Sequence, residues 1–179
     1  MASIKTERLE LLPLSAEAIE ALLAADEPRL RALTGAAFPI PLRPPPLMEG
    51  LLPLVRDRVR AHPADLTWGT WVVVSRDTHK AVGALGFGGP PDQAGDVLLG
   101  YATYPESDHK GYATEAVRGL VAWALQQPGV HRICSSIPSD NEPARRVAEK
   151  AGMRIVGTVW EEDIDEALLY AVDNQAAGG

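Results

Sequence analysis

Cysteine occurs once in the 179 residues, at Cys134, so an internal disulfide framework is excluded and a reducing compartment is indicated. The 4 histidines are scattered without metal-ligand spacing, and no metal is expected. Positive charge is in deficit: 17 Lys and Arg stand against 24 Asp and Glu, a net charge of −7. Backbone recognition of nucleic acid needs a basic surface, so general nucleic-acid binding is excluded. No apolar run approaches the ~18–20 residues of a membrane span. The opening MASIKTERLEL has no basic segment followed by an apolar run, so no signal peptide is read. Neither GxGxxG nor GxxxxGK[ST] follows a strand pattern, which argues against a doubly wound nucleotide fold. A soluble, cytoplasmic chain with no membrane partner is the expectation. What is present suits one packed core: 46% hydrophobic and 23% charged residues.

Periodicity predicts one strand over Ile4–Leu14. A helix follows in SAEAIEALLAA, with Ser15 as N-cap and Ile19, Leu22 and Leu23 at helical spacing. PRLRALTG reads as a second short helix. FPIPLRPPP (38–46) holds five prolines and reads as an ordered loop, and LMEGLLPLVRDRVRAH as a helix behind it. WGTWVVVS and AVGALGFGG, joined by RDTHK, read as a hairpin, and DVLLGYATYP as a further strand. Trp68 and Trp71 are placed at the start of the first of these strands, on opposite faces, as packing residues. The helix from Tyr112 sets Ala113, Val117, Leu120, Val121, Ala124 and Leu125 on one face. VHRICSSI is a strand. SDNEPARRVAEKAG is a helix capped by Asp140 or Asn141, with Ala144, Val147, Ala148 and Ala151 inward and Gly152 ending it. MRIVGTVW and EALLYAV close the chain as strands. A single domain over residues 1–173 with a frayed tail over 174–179 follows. Hairpins preceding a β–α–β unit require a mixed sheet and an α+β class.

The stretch YPESDHKGYATEAVRGLVAWALQQ (104–127) places Lys110, Gly111 and Ala113 at the mouth of a helix. A helix N-terminus carries unpaired N–H groups and the positive end of the dipole, and small residues there let an anion approach. A plain helix start after a loop accounts for the same residues, and the stretch alone leaves both readings open.

GYATYPESDHKGYATEAVRGLVAWAL resembles the acetyl-coenzyme A motif of the GNAT superfamily of acetyltransferases. It is most similar to the branch that acetylates N-terminal amines of ribosomal proteins. IPSDNEPARRVAEKAGMRIVGT resembles that branch's second motif, and TERLELLPL its opening strand with Thr-x-Arg-Leu, in the same order along the chain. The resemblance implies a three-layer α/β/α fold. Its central sheet would be mixed, mostly antiparallel, and splayed between the strand ending at Tyr104 and the strand 130–135. It implies acetyl-CoA as acetyl donor. The pantetheine arm would pair with main chain at Ala102, Thr103 and Tyr104. The pyrophosphate would sit on the N–H groups of His109, Lys110, Gly111, Tyr112, Ala113 and Thr114, with Asn141 and Arg145 flanking. The acceptor would be a primary amine, a peptide N-terminus or a small molecule, attacking directly in a ternary complex. A homodimer is left open. Two rival readings remain: a non-catalytic acyl-CoA-binding module of the same fold, and an interaction domain without cofactor.

The chain departs from the branch at several positions. Its Arg or Gln at the start of the phosphate loop is Asp108 here, a repulsive charge unless it points away, while His109 replaces a glycine. The acid that many relatives place on the cofactor strand falls at Leu98. Asp96 lies two residues earlier on the same strand face and is the candidate general base. The serine after the cap Asn is Ala144, and the tyrosine that serves elsewhere as general acid falls at Ala148. Ser135, Ser136 and Ser139 lie near the cleft on this reading, and Ser139 is carried as a second catalytic candidate. Cys134 reads as a small packing residue rather than an acyl carrier. The acidic run 161–166 reads as a solvated hairpin loop that would also attract a basic substrate.

Overall fold

The computed structural model describes residues 3–46, 48–162 and 164–178. The first expected strand is two: β1 (Ile4–Lys5) and β2 (Leu9–Pro13) pair antiparallel around a turn at residues 6–8. Thr6 closes that turn, its N–H donating to the Leu9 carbonyl at 2.9 Å while its hydroxyl oxygen accepts from the Leu9 N–H at 3.2 Å. A threonine hydroxyl offering the backbone a local partner breaks a strand that alternation alone would continue.

The helix α1 (Ala16–Leu23) starts at the cap expected, Ser15, and α2 (Glu27–Thr34) at a cap that was not expected, Asp26. Ser15 Oγ accepts from the Ala18 N–H at 3.1 Å, and Asp26 Oδ1 accepts from Arg29 at 3.2 Å. The proline segment forms no helix or strand and leads to α3 (Leu52–Ala61), which tolerates Pro53 in its first turn. β3 (Thr70–Ser75), β4 (Ala81–Phe87) and β5 (Asp96–Thr103) form the expected meander. Then come α4 (Tyr112–Leu125), β6 (Arg132–Pro138), α5 (Glu142–Lys150), β7 (Arg154–Glu161) and β8 (Ile164–Asp173).

One eight-stranded sheet runs in the order β1-β2-β3-β4-β5-β6-β8-β7. Every pairing is antiparallel except β5 with β6, which α4 connects as a crossover. β8 inserts between β6 and β7. The hairpin joining β7 to β8 is tighter than the acidic run suggests, because the strands reach Glu161 and restart at Ile164; Asp163 lies outside the described residues.

Helices cover both faces of the sheet. On one, α4 buries Ala116, Val117, Leu120, Val121 and Ala124, and α5 adds Ala148, over Leu9, Leu11, Leu85, Val97, Leu99 and Ile133. On the other, α1, α2 and α3 close over Val72, Val74, Ala84 and the fully buried Tyr104. The expected three-layer α+β arrangement is therefore found. Trp68 needs correcting: it ends a 3-10 turn (Pro63–Trp68) rather than starting a strand. Both Trp68 and Trp71 pack on the same residue of α4, Trp123, at ring-centroid distances of 5.5 and 5.3 Å, so they do not face opposite ways. Asn174, expected in the frayed tail, is anchored: its side chain donates to the carbonyls of Leu125 and Val130, and a 3-10 turn follows over Gln175–Gly178. Among the described residues no helix is long and apolar enough to cross a membrane, and no group of three metal-ligating side chains gathers.

Candidate active site

The site begins where the sheet comes apart. β5 and β6 pair at Asp96–Arg132, Val97–Ile133 and Leu98–Cys134, and no further. The last link is a side chain: the buried Ser135 donates its hydroxyl to the Leu99 carbonyl at 2.9 Å. Past that point β5 keeps its pairing with β4 and loses its partner on the other side.

Strand alternation decides which main-chain groups face the opening. The Tyr104 N–H donates to Val82 O at 3.0 Å and Gly88 N–H to Leu98 O at 2.9 Å, so even-numbered residues of this stretch turn their main chain toward β4. Tyr101 and Thr103 turn theirs toward the opening. Of the three positions expected to pair with a pantetheine arm, Thr103 is therefore available. The main chain of Ala102 faces its partner Ala84, and Tyr104 is spent at both ends, its carbonyl accepting from Ser107 at 2.8 Å. The main-chain groups left facing the opening are those of Tyr101 and Thr103.

Immediately beyond, a 3-10 turn (Pro105–Ser107) leads into the loop that starts α4. His109 and Gly111 take left-handed backbone, φ 61° and 78°. Glycine accommodates this at position 111 without steric cost; His109 does so as an exposed residue. α4 has no side-chain cap. Among the described residues, none accepts a hydrogen bond from the main-chain N–H of His109, Lys110, Gly111, Tyr112, Ala113 or Thr114. Six consecutive donors without acceptors, at the positive end of a 14-residue helix, make a seat suited to an anion. It lies beside the open edge of β5.

Asp108 is tied down beside this seat. Its carboxylate accepts from the hydroxyl of Thr103, which ties the loop to the last residue of β5. The charge still lies close to the seat, so Asp108→Asn, which keeps an acceptor for Thr103 and removes the charge, is expected to tighten binding of coenzyme A. Charges near a helix terminus are worth roughly 0.3–1 kcal/mol, so the gain should be about two- to fivefold and should shrink as salt rises. Calorimetric titration at two ionic strengths checks it.

The far wall is the start of α5. Asn141 caps it, its Oδ1 accepting from Ala144 N at 3.2 Å. Arg145 spans from Nη1 to the Ser139 carbonyl at 3.0 Å and from Nε to the Tyr170 hydroxyl at 3.2 Å, and Tyr170 donates onward to Glu149 at 3.0 Å. These contacts brace the wall, so the groups expected to flank a cofactor are partly committed to holding α5. Ser139 sits half-buried in the preceding turn, its N–H donating to Glu166 O at 3.1 Å. Tyr101 crosses from β5 to donate to the Ala144 carbonyl at 2.6 Å. Burial pushes its phenol well above the ordinary range, so it stays a donor. No sequence pattern marked Tyr101, because a tyrosine on a half-buried strand face is unremarkable until the two strands are seen to part.

Asp96 lies at the closed end, opposite Arg132 in register and half-buried, on the same strand face as Leu98, Gly100 and Ala102. Its N–H donates to Asp92 Oδ1 at 2.9 Å. A groove runs along this end between Gly88–Pro90 and the side chains of Asp92, Asp96, Leu98 and Cys134. Seven residue steps lead from Asp96 to Thr103, about 23 Å at strand rise. The anion seat and the carboxylate therefore stand at opposite ends of β5, with the opening between them. Cys134 is half-buried, and burial together with the neighbouring Asp96 pushes its thiol up, away from the thiolate a nucleophile needs.

The family model for the acetyltransferase (GNAT) domain matches residues 8–154. The chain belongs to this family. A Bacillus subtilis (strain 168) relative, the uncharacterized N-acetyltransferase YjdG, is 37% identical over 83 residues, 46% of this chain and 49% of that protein. This GNAT chain thus spans, in its match, about half the length of that curated relative. Solved structures extend the likeness of fold along the whole chain. RimL, a ribosomal L7/L12 alpha-N-protein acetyltransferase in complex with coenzyme A, superposes with TM-score 0.70 at 14% identity, covering 98% of this chain and 99% of that one. Mycobacterium smegmatis RimJ, in complex with CoA-disulfide, gives TM-score 0.70 at 18% identity, covering 99% and 90%. The GNAT domain here therefore shares its fold with members of the branch that its sequence motifs resemble.

Proposed function

We propose that the chain is an acetyl-CoA-dependent N-acetyltransferase that acts on a primary amine in the cytoplasm. The observation that carries this reading is the run of unpaired amides from His109 to Thr114 beside the open edge of β5, in a chain of the GNAT family. The amides, with Lys110 beside them, hold the diphosphate. Tyr101 and Thr103 pair through their main chain with the amide-bearing arm and steer the thioester toward the closed end of the cleft. Acetyl-CoA supplies the thioester; the N–C bond forms as the C–S bond breaks, and the thiolate leaves to be protonated from solvent. Most of the acceleration is positioning, with a main-chain N–H of β5 polarising the carbonyl. Asp96 takes the proton of the incoming ammonium through water. Ser139, whose main chain is hydrogen-bonded to Glu166 and Arg145, is assigned no step.

Peptide N-termini and small amines are both within the chemistry of this site. Transfer of radiolabelled acetyl from acetyl-CoA to a panel of peptides with free N-termini, polyamines and amino acids tests the reading. Labelled product with any primary amine supports it. Binding of acetyl-CoA without turnover on any of them would instead favour a non-catalytic acyl-CoA-binding module.

A further inference from the structure

The first turn of the chain reaches the anion seat. Glu115, in the first turn of α4, is the hub: its Oε1 accepts from Thr6 Oγ1 at 2.6 Å and from the Arg8 N–H at 2.7 Å, and its Oε2 from Arg8 Nε at 2.7 Å. Partial burial raises the Glu115 carboxyl, and the donors from Thr6 and Arg8 outweigh it, holding the group below the usual carboxylate range. One helical turn further, Gly119 lets the hairpin lie against α4; a Cβ there would stand 2.9 Å from Thr6 Cγ2. From this anchor the Arg8 guanidinium extends over the loop. Nη1 donates to the Lys110 carbonyl at 2.9 Å, the guanidinium carbon lies 4.8 Å from the Tyr112 ring centre, and Nη2 would meet a Cβ on Gly111 at 3.3 Å. Among the described residues Nη2 has no acceptor. A donor pair bearing positive charge is thus held against the residue at the centre of the seat, adding to Lys110 and opposing the carboxylate of Asp108.

We propose that Arg8 is a positioning and anion-binding residue of the diphosphate seat: it fixes the loop through the Lys110 carbonyl and offers Nη2 to the phosphates. This rests on the reading of the 109–114 amides as that seat. Guanidinium is suited to the task, because one planar fork can serve Glu115, Lys110 O and a phosphate oxygen together, which a lysine ammonium cannot reproduce.

The test is calorimetric titration of the full chain, Arg8→Met, Arg8→Lys and Glu115→Gln with coenzyme A and with pantetheine, which has the same arm and no phosphate, alongside thermal melts. Losing one hydrogen bond to a charged group weakens binding roughly 10- to 100-fold. Arg8→Met should lose about that much for coenzyme A and nothing for pantetheine. Arg8→Lys should recover part of the loss, and Glu115→Gln, which frees the guanidinium from its anchor, should weaken coenzyme A several-fold. Unchanged coenzyme A affinity in Arg8→Met, or an equal loss for both ligands, overturns the proposal, the latter by showing only a loosened fold. If Arg8→Met does not fold, Glu115→Gln decides: affinity equal to that of the unaltered chain overturns it. Failure of the unaltered chain to bind coenzyme A is a different result and removes the underlying reading as well.

Discussion

Gly111→Glu is expected to abolish coenzyme A binding while the fold persists. The residue is exposed and sits at φ 78°, where any side chain is strained. A side chain there projects toward Arg8 Nη2, across the mouth of the unpaired amides. The glutamate carboxylate would occupy the place of a phosphate and draw the Arg8 guanidinium onto itself, so one substitution removes both the room and the charge. Like charges forced together across a binding surface cost several kcal/mol, which is a loss of about a hundredfold or more in affinity. Little fold stability should go with it, because no core contact is touched. Titration calorimetry beside a thermal melt reads both. Unchanged affinity would remove the amides from the account.

Asp96→Asn should leave coenzyme A affinity as it is and slow turnover by about 100-fold to 10,000-fold at neutral pH, the usual range for a lost general base. The separation in space is what makes the two effects separable: Asp96 and the anion seat lie at opposite ends of β5. An amine with a pKa of about 8–10 is mostly protonated at pH 7, so the variant should regain rate as pH rises and the acceptor loses its proton unaided. Rate–pH profiles of both proteins with one acceptor measure this. Full activity of Asp96→Asn at pH 7 would pass the proton to solvent or to a group borne by the acceptor.

Much of the fold was legible because local signals agreed with one another. Ser15, the pair Asp140 and Asn141, and the glycine after α5 mark helix ends in the sequence, and Ser15, Asn141 and that glycine mark them in the structure. The α4 stripe was legible for the same reason: Val117, Leu120, Val121 and Ala124 repeat at the helical period, and all are buried. The misreadings share another origin, a local hydrogen bond or turn overriding alternation. Thr6 breaks the first strand with its hydroxyl, and Trp68 belongs to a 3-10 turn whose residues mimic the start of β3. At the site, the position of the phosphate loop could be read, since small residues before an amphipathic helix carry that information. Its wiring could not. Arg8 and Glu115 are 107 positions apart, and Tyr101 and Ala144 are 43 apart. Only the topology, with β1 and β2 beside α4 and the cleft between β5 and β6, brings them together. Asp108 shows the same limit: its charge was visible, but the Thr103 hydroxyl that holds it was not.

The most direct test of the central claim is a two-dimensional amide NMR titration of the full chain with acetyl-CoA. The account predicts that the largest shifts fall on the N–H groups of His109 to Thr114, with a second set at Tyr101 and Thr103 and little change in α1 and α2. Shifts confined to other surfaces, or none at ligand concentrations well above those that saturate related enzymes, would contradict it.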